Sequence, residues 1–156
     1  MNRTDGGRGE LWVVGQFVLL AAILLVPSRL AGLPAWPDGV RWAGAALGVL
    51  LGLAGVGVAL AAARTLGASL TPFPRPRDGA TLVQHGVYGV VRHPIYSGIL
   101  LGALGWSLLR ASLPSLLLAL ALALFFDRKA RREEAWLIET YPGYREYMAR
   151  VRRRVW

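Results

Sequence analysis

The chain has 156 residues, 54% of them hydrophobic, and its mean hydropathy of +0.43 is too high for an ordinary soluble domain, which points to an integral membrane protein. Its formal net charge of +9 does not indicate nucleic acid, because the basic residues fall between and after apolar runs, the placement that orients membrane proteins. The absence of cysteine excludes disulfides, thiolate metal sites and cysteine nucleophiles, and with His85 and His93 as the sole histidines no metal site is expected.

Leu11 to Val26 is the first apolar run. Extended past Pro27 and Arg29 to Leu33, it predicts a membrane helix over 10–33. Arg3 and Arg8 ahead of it would also suit a signal peptide, but no small-x-small cleavage site follows and a second apolar run comes soon after, so the helix is expected to be retained. That second run, Val40 to Ala63, predicts a helix over 40–66, enough to cross a hydrocarbon core of ~30 Å. Gly44, Gly48 and Gly52 recur every fourth residue and predict a stripe along which another helix approaches closely.

Two shorter runs follow, Ile95 to Leu109 and Leu113 to Phe126, parted by Arg110-Ala111-Ser112. They predict a tight helical hairpin that returns the chain to the side it left, with Gly98, Gly102 and Gly105 on a second close-packing face. The expected fold is all-α: a single membrane domain over 1–156 with about four transmembrane helices and a helical cap after the last. The segment 64–92 carries four arginines and 127–156 carries eight plus Lys129, whereas the opposite connections hold Arg29, Arg41 and Arg110. By the positive-inside rule both termini and the middle connection face the cytoplasm.

On that side lie two polar clusters. Thr71 to Gly79 is a proline-punctuated loop that leads into the extended Thr81 to Gly86. Then comes Gly86-Val87-Tyr88-Gly89-Val90-Val91-Arg92-His93-Pro94-Ile95-Tyr96-Ser97-Gly98, which sets Arg, His and two Tyr against a helix start. His93 before proline favours extended backbone, and Pro94 suits the first helical position. Interfacial anchoring in an aromatic belt would explain these residues as well as a site would. The second cluster is Glu133-Glu134, on the continuation of the fourth helix. Asp127 with Arg131 and Lys129 with Glu133 are spaced for ion pairs on a solvated helix. A carboxylate here could equally bind ribose hydroxyls or an ammonium group. Leu137, Tyr141, Tyr144, Tyr147 and Val151 could fold back as a ring-rich cap. Polar groups of this kind beside a membrane are costly to keep, and the two clusters read as halves of one site.

The ordered set Gly-Val-Tyr-x-x-x-Arg-His-Pro-x-Tyr-x-Gly, Glu-Glu-x-x-Leu and Tyr-x-x-Tyr-x-x-x-Val, spanning 80–151, resembles the isoprenylcysteine carboxyl methyltransferase family, whose wider relatives include membrane phospholipid methyltransferases. The resemblance implies an S-adenosylmethionine-dependent membrane enzyme acting on a lipophilic acceptor drawn from the bilayer. Carried over by position, it implies that Leu82, Val83, Tyr88, His93, Pro94, Ile95, Tyr96 and Glu133 line the cofactor pocket. The substrate's carboxylate would meet Lys129, with Arg128 beside it. The family places arginine there, and lysine keeps the charge without the planar fork. Methyl transfer from a sulfonium needs alignment and desolvation more than acid–base chemistry, so Arg92, His93 and Glu134 are the candidate catalytic groups, with His93 or Glu134 as base for an amine or thiol acceptor. Two alternatives stand beside this reading. One is a phospholipid or small-thiol methyltransferase. The other is a non-enzymatic membrane protein whose basic tail, Arg150-Val151-Arg152-Arg153-Arg154, binds anionic lipid.

Overall fold

The structure, a computed structural model, describes residues 9–28, 35–71, 73 and 81–155. Arg3, Arg8, the predicted helical extension over 29–33 and most of the proline-punctuated loop lie outside the described residues. Five α-helices follow in order: α1 (Glu10–Leu25), α2 (Asp38–Leu66), α3 (Pro94–Leu109), α4 (Leu113–Thr140) and α5 (Tyr144–Arg150). Single 3-10 turns occupy Gly67–Ser69 and Gly86–Gly89, and no strand occurs among the described residues.

The helix ends have local causes. The expected continuation of the first helix beyond Val26 is not found: α1 stops at Leu25, and Val26 turns to ψ 135°. Pro27 disfavours helical geometry in the residue before it. α2 ends at Gly67, whose φ of +52° lies in the left-handed region that glycine enters without penalty. α3 starts at Pro94, with His93 held non-helical ahead of it. The hairpin turn is closed by the Ser112 hydroxyl, which accepts the Ser115 N–H at 3.2 Å and caps α4.

α3 lies between α2 and α4, and α1 packs on α4. The α2–α3 contact is antiparallel and made backbone to backbone. A Cβ built on Gly48 would sit 2.6 Å from the Gly105 carbonyl oxygen, and one on Gly55 the same distance from that of Gly98. The reciprocal substitutions at Gly98 and Gly105 meet the Gly55 and Gly48 carbonyls equally closely. The tightest Cβ clashes therefore recur every seventh residue: a Cβ at Gly52 or Gly102 meets nothing within 4 Å, although their backbone nitrogens lie 2.8 Å from the Cβ built on Gly105 and Gly55, which keeps both glycines in the seam. Below the seam, Ile23, Leu100, Leu122 and Phe126 form the buried core, joined by Val155 from beyond α5.

Asp38–Ser69 is the one helical stretch among the described residues long and apolar enough to cross a membrane by itself, while α1 and α3 are shorter apolar helices. Trp42, Leu50, Leu53 and Val56 of α2, Phe17 and Val18 of α1, and Leu117, Leu120 and Leu124 of α4 point outward. An apolar surface of that extent suits lipid rather than water. α4 then runs on past Phe126 as a charged helix. There Tyr144, Tyr147 and Val151 pack with Leu82, Leu137, Ile138 and Tyr141 into a second cluster, the ring-rich cap.

Candidate active site

Between the cap and the bundle lies a cavity of about 360 Å³, within the ~300–1,000 Å³ usual for small-molecule sites. One wall is the segment 81–96, which contributes Leu82, Val83, Tyr88, Arg92, His93, Ile95 and Tyr96; α4 supplies Lys129, Glu133 and Leu137. The cap adds Tyr141, Tyr144 and Tyr147, and the end of α2 adds Leu66, Leu70 and Phe73 nearby. The two clusters separated by the hairpin in sequence thus meet in space, and most of the residues expected to hold a cofactor border the same space.

The polar geometry is organised around the paired carboxylates. Tyr96 donates its hydroxyl to Glu133 Oε2 at 2.7 Å, and the His93 Nδ1 lies 3.6 Å from the same oxygen. The His93 ring stacks on Tyr96 at 5.3 Å with an interplanar angle of 3°, and Tyr96 stacks in turn on Phe126 at 4.5 Å. Glu134 Oε1 accepts from Arg92 Nε at 2.7 Å and faces His93 Nε2 at 3.3 Å. Burial opposes ionisation of Glu134, but hydrogen bonds and charge from His93 and Arg92 outweigh it and hold its pKa down to about 2. Burial, with Glu133 and Tyr147 nearby, raises the Tyr88 phenol well above its ordinary value, so it stays neutral.

Three expected site residues are not placed in the cavity. Glu134 lies behind its wall, buried, and a carboxyl with a pKa near 2 is a poor proton acceptor at neutral pH. Pro94 is buried as the first residue of α3. Arg128 is exposed and turns back to the Leu124 carbonyl at 3.4 Å, because one residue along a helix rotates a side chain by about 100° away from its neighbour Lys129.

Lys129 does reach the cavity, and its partner was not foreseen. Its ammonium donates to Gln16 Oε1 on α1 at 2.6 Å and lies 5.2 Å from the Tyr96 ring centroid. Burial lowers its pKa, against an opposing contribution from Glu133. Gln16, an amide in an otherwise apolar run, was the available signal for α1's part in the site. Leu66, Leu70 and Phe73 offered none.

A model of the phospholipid methyltransferase family matches residues 43–143. The chain belongs to that family. The cobalt-zinc-cadmium resistance protein CzcN of Cupriavidus metallidurans is 38% identical over 142 residues, 90% of this chain and 60% of that protein. The protein-S-isoprenylcysteine O-methyltransferase of Schizosaccharomyces pombe is 39% identical over 72 residues, 45% of this chain and 30% of that protein. Among solved structures, the eukaryotic intramembrane Ras methyltransferase, isoprenylcysteine carboxyl methyltransferase, matches with a TM-score of 0.66 at 22% identity, over 97% of this chain and 52% of the other. The chain spans about 60% of CzcN's length. The structural likeness shows a fold shared with isoprenylcysteine carboxyl methyltransferase, and the resemblance to isoprenylcysteine methyltransferases read from the motifs agrees with it.

Proposed function

We propose that this family member is an S-adenosylmethionine-dependent membrane methyltransferase acting on a lipophilic acceptor at the membrane surface. The observation that carries the reading is the cavity itself. It combines a carboxylate, Glu133, with the stacked His93–Tyr96 pair and further tyrosines on apolar walls. That donor set suits a ligand that is cationic at one end and aromatic at the other, since carboxylates and ring faces both attract cations. When bound, the donor supplies an electrophilic methyl group on a sulfonium. Glu133 and Tyr96 would hold polar groups of the ligand, Leu82 and Val83 would pack its flat portion, and the cap of Tyr141, Tyr144 and Tyr147 would exclude water. Orientation of this kind contributes up to ~7–11 kcal/mol to bimolecular reactions. Arg92 and Glu134 serve by positioning His93, and Lys129 and Gln16 by meeting the polar head of the acceptor.

An isoprenylcysteine-like carboxylate is the first acceptor to test, because it needs no base and Lys129 offers it a counter-charge. Phospholipid and small-thiol acceptors are the alternatives. The reading includes four membrane-spanning helices, with both termini and the cavity on the cytoplasmic side, as the charge distribution supports. Calorimetric titration of S-adenosylhomocysteine into the protein purified in detergent, followed by transfer of labelled methyl to farnesylcysteine analogues, phospholipids and thiols, tests it. Binding with transfer to one acceptor class supports the proposal and names the acceptor. A folded protein that binds no ligand would leave the basic exterior, and anionic lipid, as the better account.

A further inference from the structure

Residues 151–155, which include most of the basic run that the lipid-binding alternative assigned to a tail, run back as an extended strap against the Arg92–Ser97 segment. The N–H groups of Arg92 and His93 donate to the carbonyls of Arg153 and Arg154 at 3.0 and 2.8 Å. The Arg92 guanidinium also donates to the Val151 carbonyl and the Ser97 hydroxyl to that of Val155. Arg154 turns beneath them: its Nε donates to Glu134 Oε2 at 2.9 Å and its Nη1 to Asp127 Oδ1 at 3.0 Å.

Glu134 is thus gripped from two sides, with Arg92 and His93 on Oε1 and Arg154 on Oε2. Two partners on one oxygen leave the carboxylate free to swing about the bond that carries it, and the Arg154 guanidinium on the other oxygen fixes its plane. A planar guanidinium can join Glu134 to Asp127, which a lysine's point charge does less well. Arg154 does not line the main cavity.

We propose that Arg154 is a positioning residue for the donor site, fixing through Glu134 the orientation of the His93 ring and, through its stacking, that of Tyr96. The proposal rests on the methyl-donor reading of the cavity. It makes the strap part of the site, although none of its residues touches the ligand space.

A cleft of about 110 Å³ lined by Ala123, Asp127, Arg154 and Val155 lies beside this side chain and gives a small guanidinium access when the residue is cut back. The test is calorimetric binding of S-adenosylhomocysteine to the full chain in detergent, alongside thermal unfolding, for wild type, Arg154→Ala, Arg154→Lys and the exposed-site control Arg152→Ala. Arg154→Ala is expected to weaken binding about tenfold, with Arg154→Lys between it and wild type and Arg152→Ala unchanged. Added methylguanidinium should restore affinity to Arg154→Ala, a response that general destabilisation would not produce. Wild-type affinity in Arg154→Ala would overturn the proposal while leaving the donor reading intact. So would a loss that neither lysine nor methylguanidinium repairs, since Arg154 would then be structural only. Absence of binding in the wild type would instead remove the donor reading, and this inference with it.

Discussion

The two ends of α3 are held in place by opposite means. Along its length, Gly98 and Gly105 meet Gly55 and Gly48 of α2 backbone to backbone, with no side chain between them. At its start, Arg92 and His93 are set by a buried cluster of charges, with Glu134 at the centre and Arg154 closing it. The seam works by lacking atoms and the cluster by satisfying every charge it buries. The first gives a stiff platform through close backbone approach, the means of association that the proposed lipid setting favours. The second fixes side-chain directions at the surface, where the cavity needs them. Damage should therefore look different at the two ends.

The largest effect is expected from Glu134→Ala. It leaves Arg92, itself buried, without its main counter-charge, and breaking such a pair costs about 3–5 kcal/mol. Thermal unfolding in detergent should show it as a large loss of stability together with loss of ligand binding. Next comes the seam. Gly48→Ala and Gly98→Ala force backbone apart and should each destabilise by about 1–3 kcal/mol, while Gly52→Ala and Gly102→Ala should be neutral or mildly stabilising by the same assay. Equal effects at all four positions would mean that the seven-residue register is wrong. The third variant separates site from scaffold. Glu133 is partly exposed and faces the cavity, so Glu133→Ala should weaken S-adenosylhomocysteine binding about 10–100-fold with little change in melting temperature.

The contrast between seam and cluster also explains what could be read from sequence. Apolar runs fixed α2, the α3–α4 hairpin and the continuation of α4, because length and hydropathy decide those almost alone. The Arg-His-Pro segment and the paired glutamates stood out as a candidate site because such polar groups are costly to keep beside a membrane. Which glutamate faces the cavity was not readable from composition, since adjacent helical residues point about 100° apart and only the packing of α4 decides between them. Which of the seam glycines tolerates no side chain was not readable for a related reason. Gly44, Gly48 and Gly52 form a valid stripe on an isolated helix, but contact needs a partner glycine opposite, and Gly105 and Gly98 select Gly48 and Gly55. The strap was hidden because four of the six bonds that hold it end on its own main-chain carbonyls, which leave no mark in the pattern of its side chains. Its arginines read only as part of the positive charge that sets the topology or binds anionic lipid; Arg152 and Arg153 are exposed, and Arg154 is not.

The last test probes the cluster without removing an atom. Glu134 has a folded-state pKa of about 2 against an ordinary value of 4.5, so its ionised form is favoured by folding. The linked stability is fully present above pH 4.5 and is lost as pH falls from there through about 2, amounting to about 3 kcal/mol. Other carboxyls titrate in the same window, among them Asp127, whose pKa is lowered by Arg131 and Arg154 against the effect of burial. The informative quantity is therefore the difference between wild type and Glu134→Gln. The variant starts less stable, because Arg92 keeps only a neutral partner, but its melting temperature should fall less steeply between pH 5 and pH 2. Parallel pH profiles would show that Glu134 is not the ionised centre of the cluster. The cluster would then have to be held by packing, as the glycine seam is.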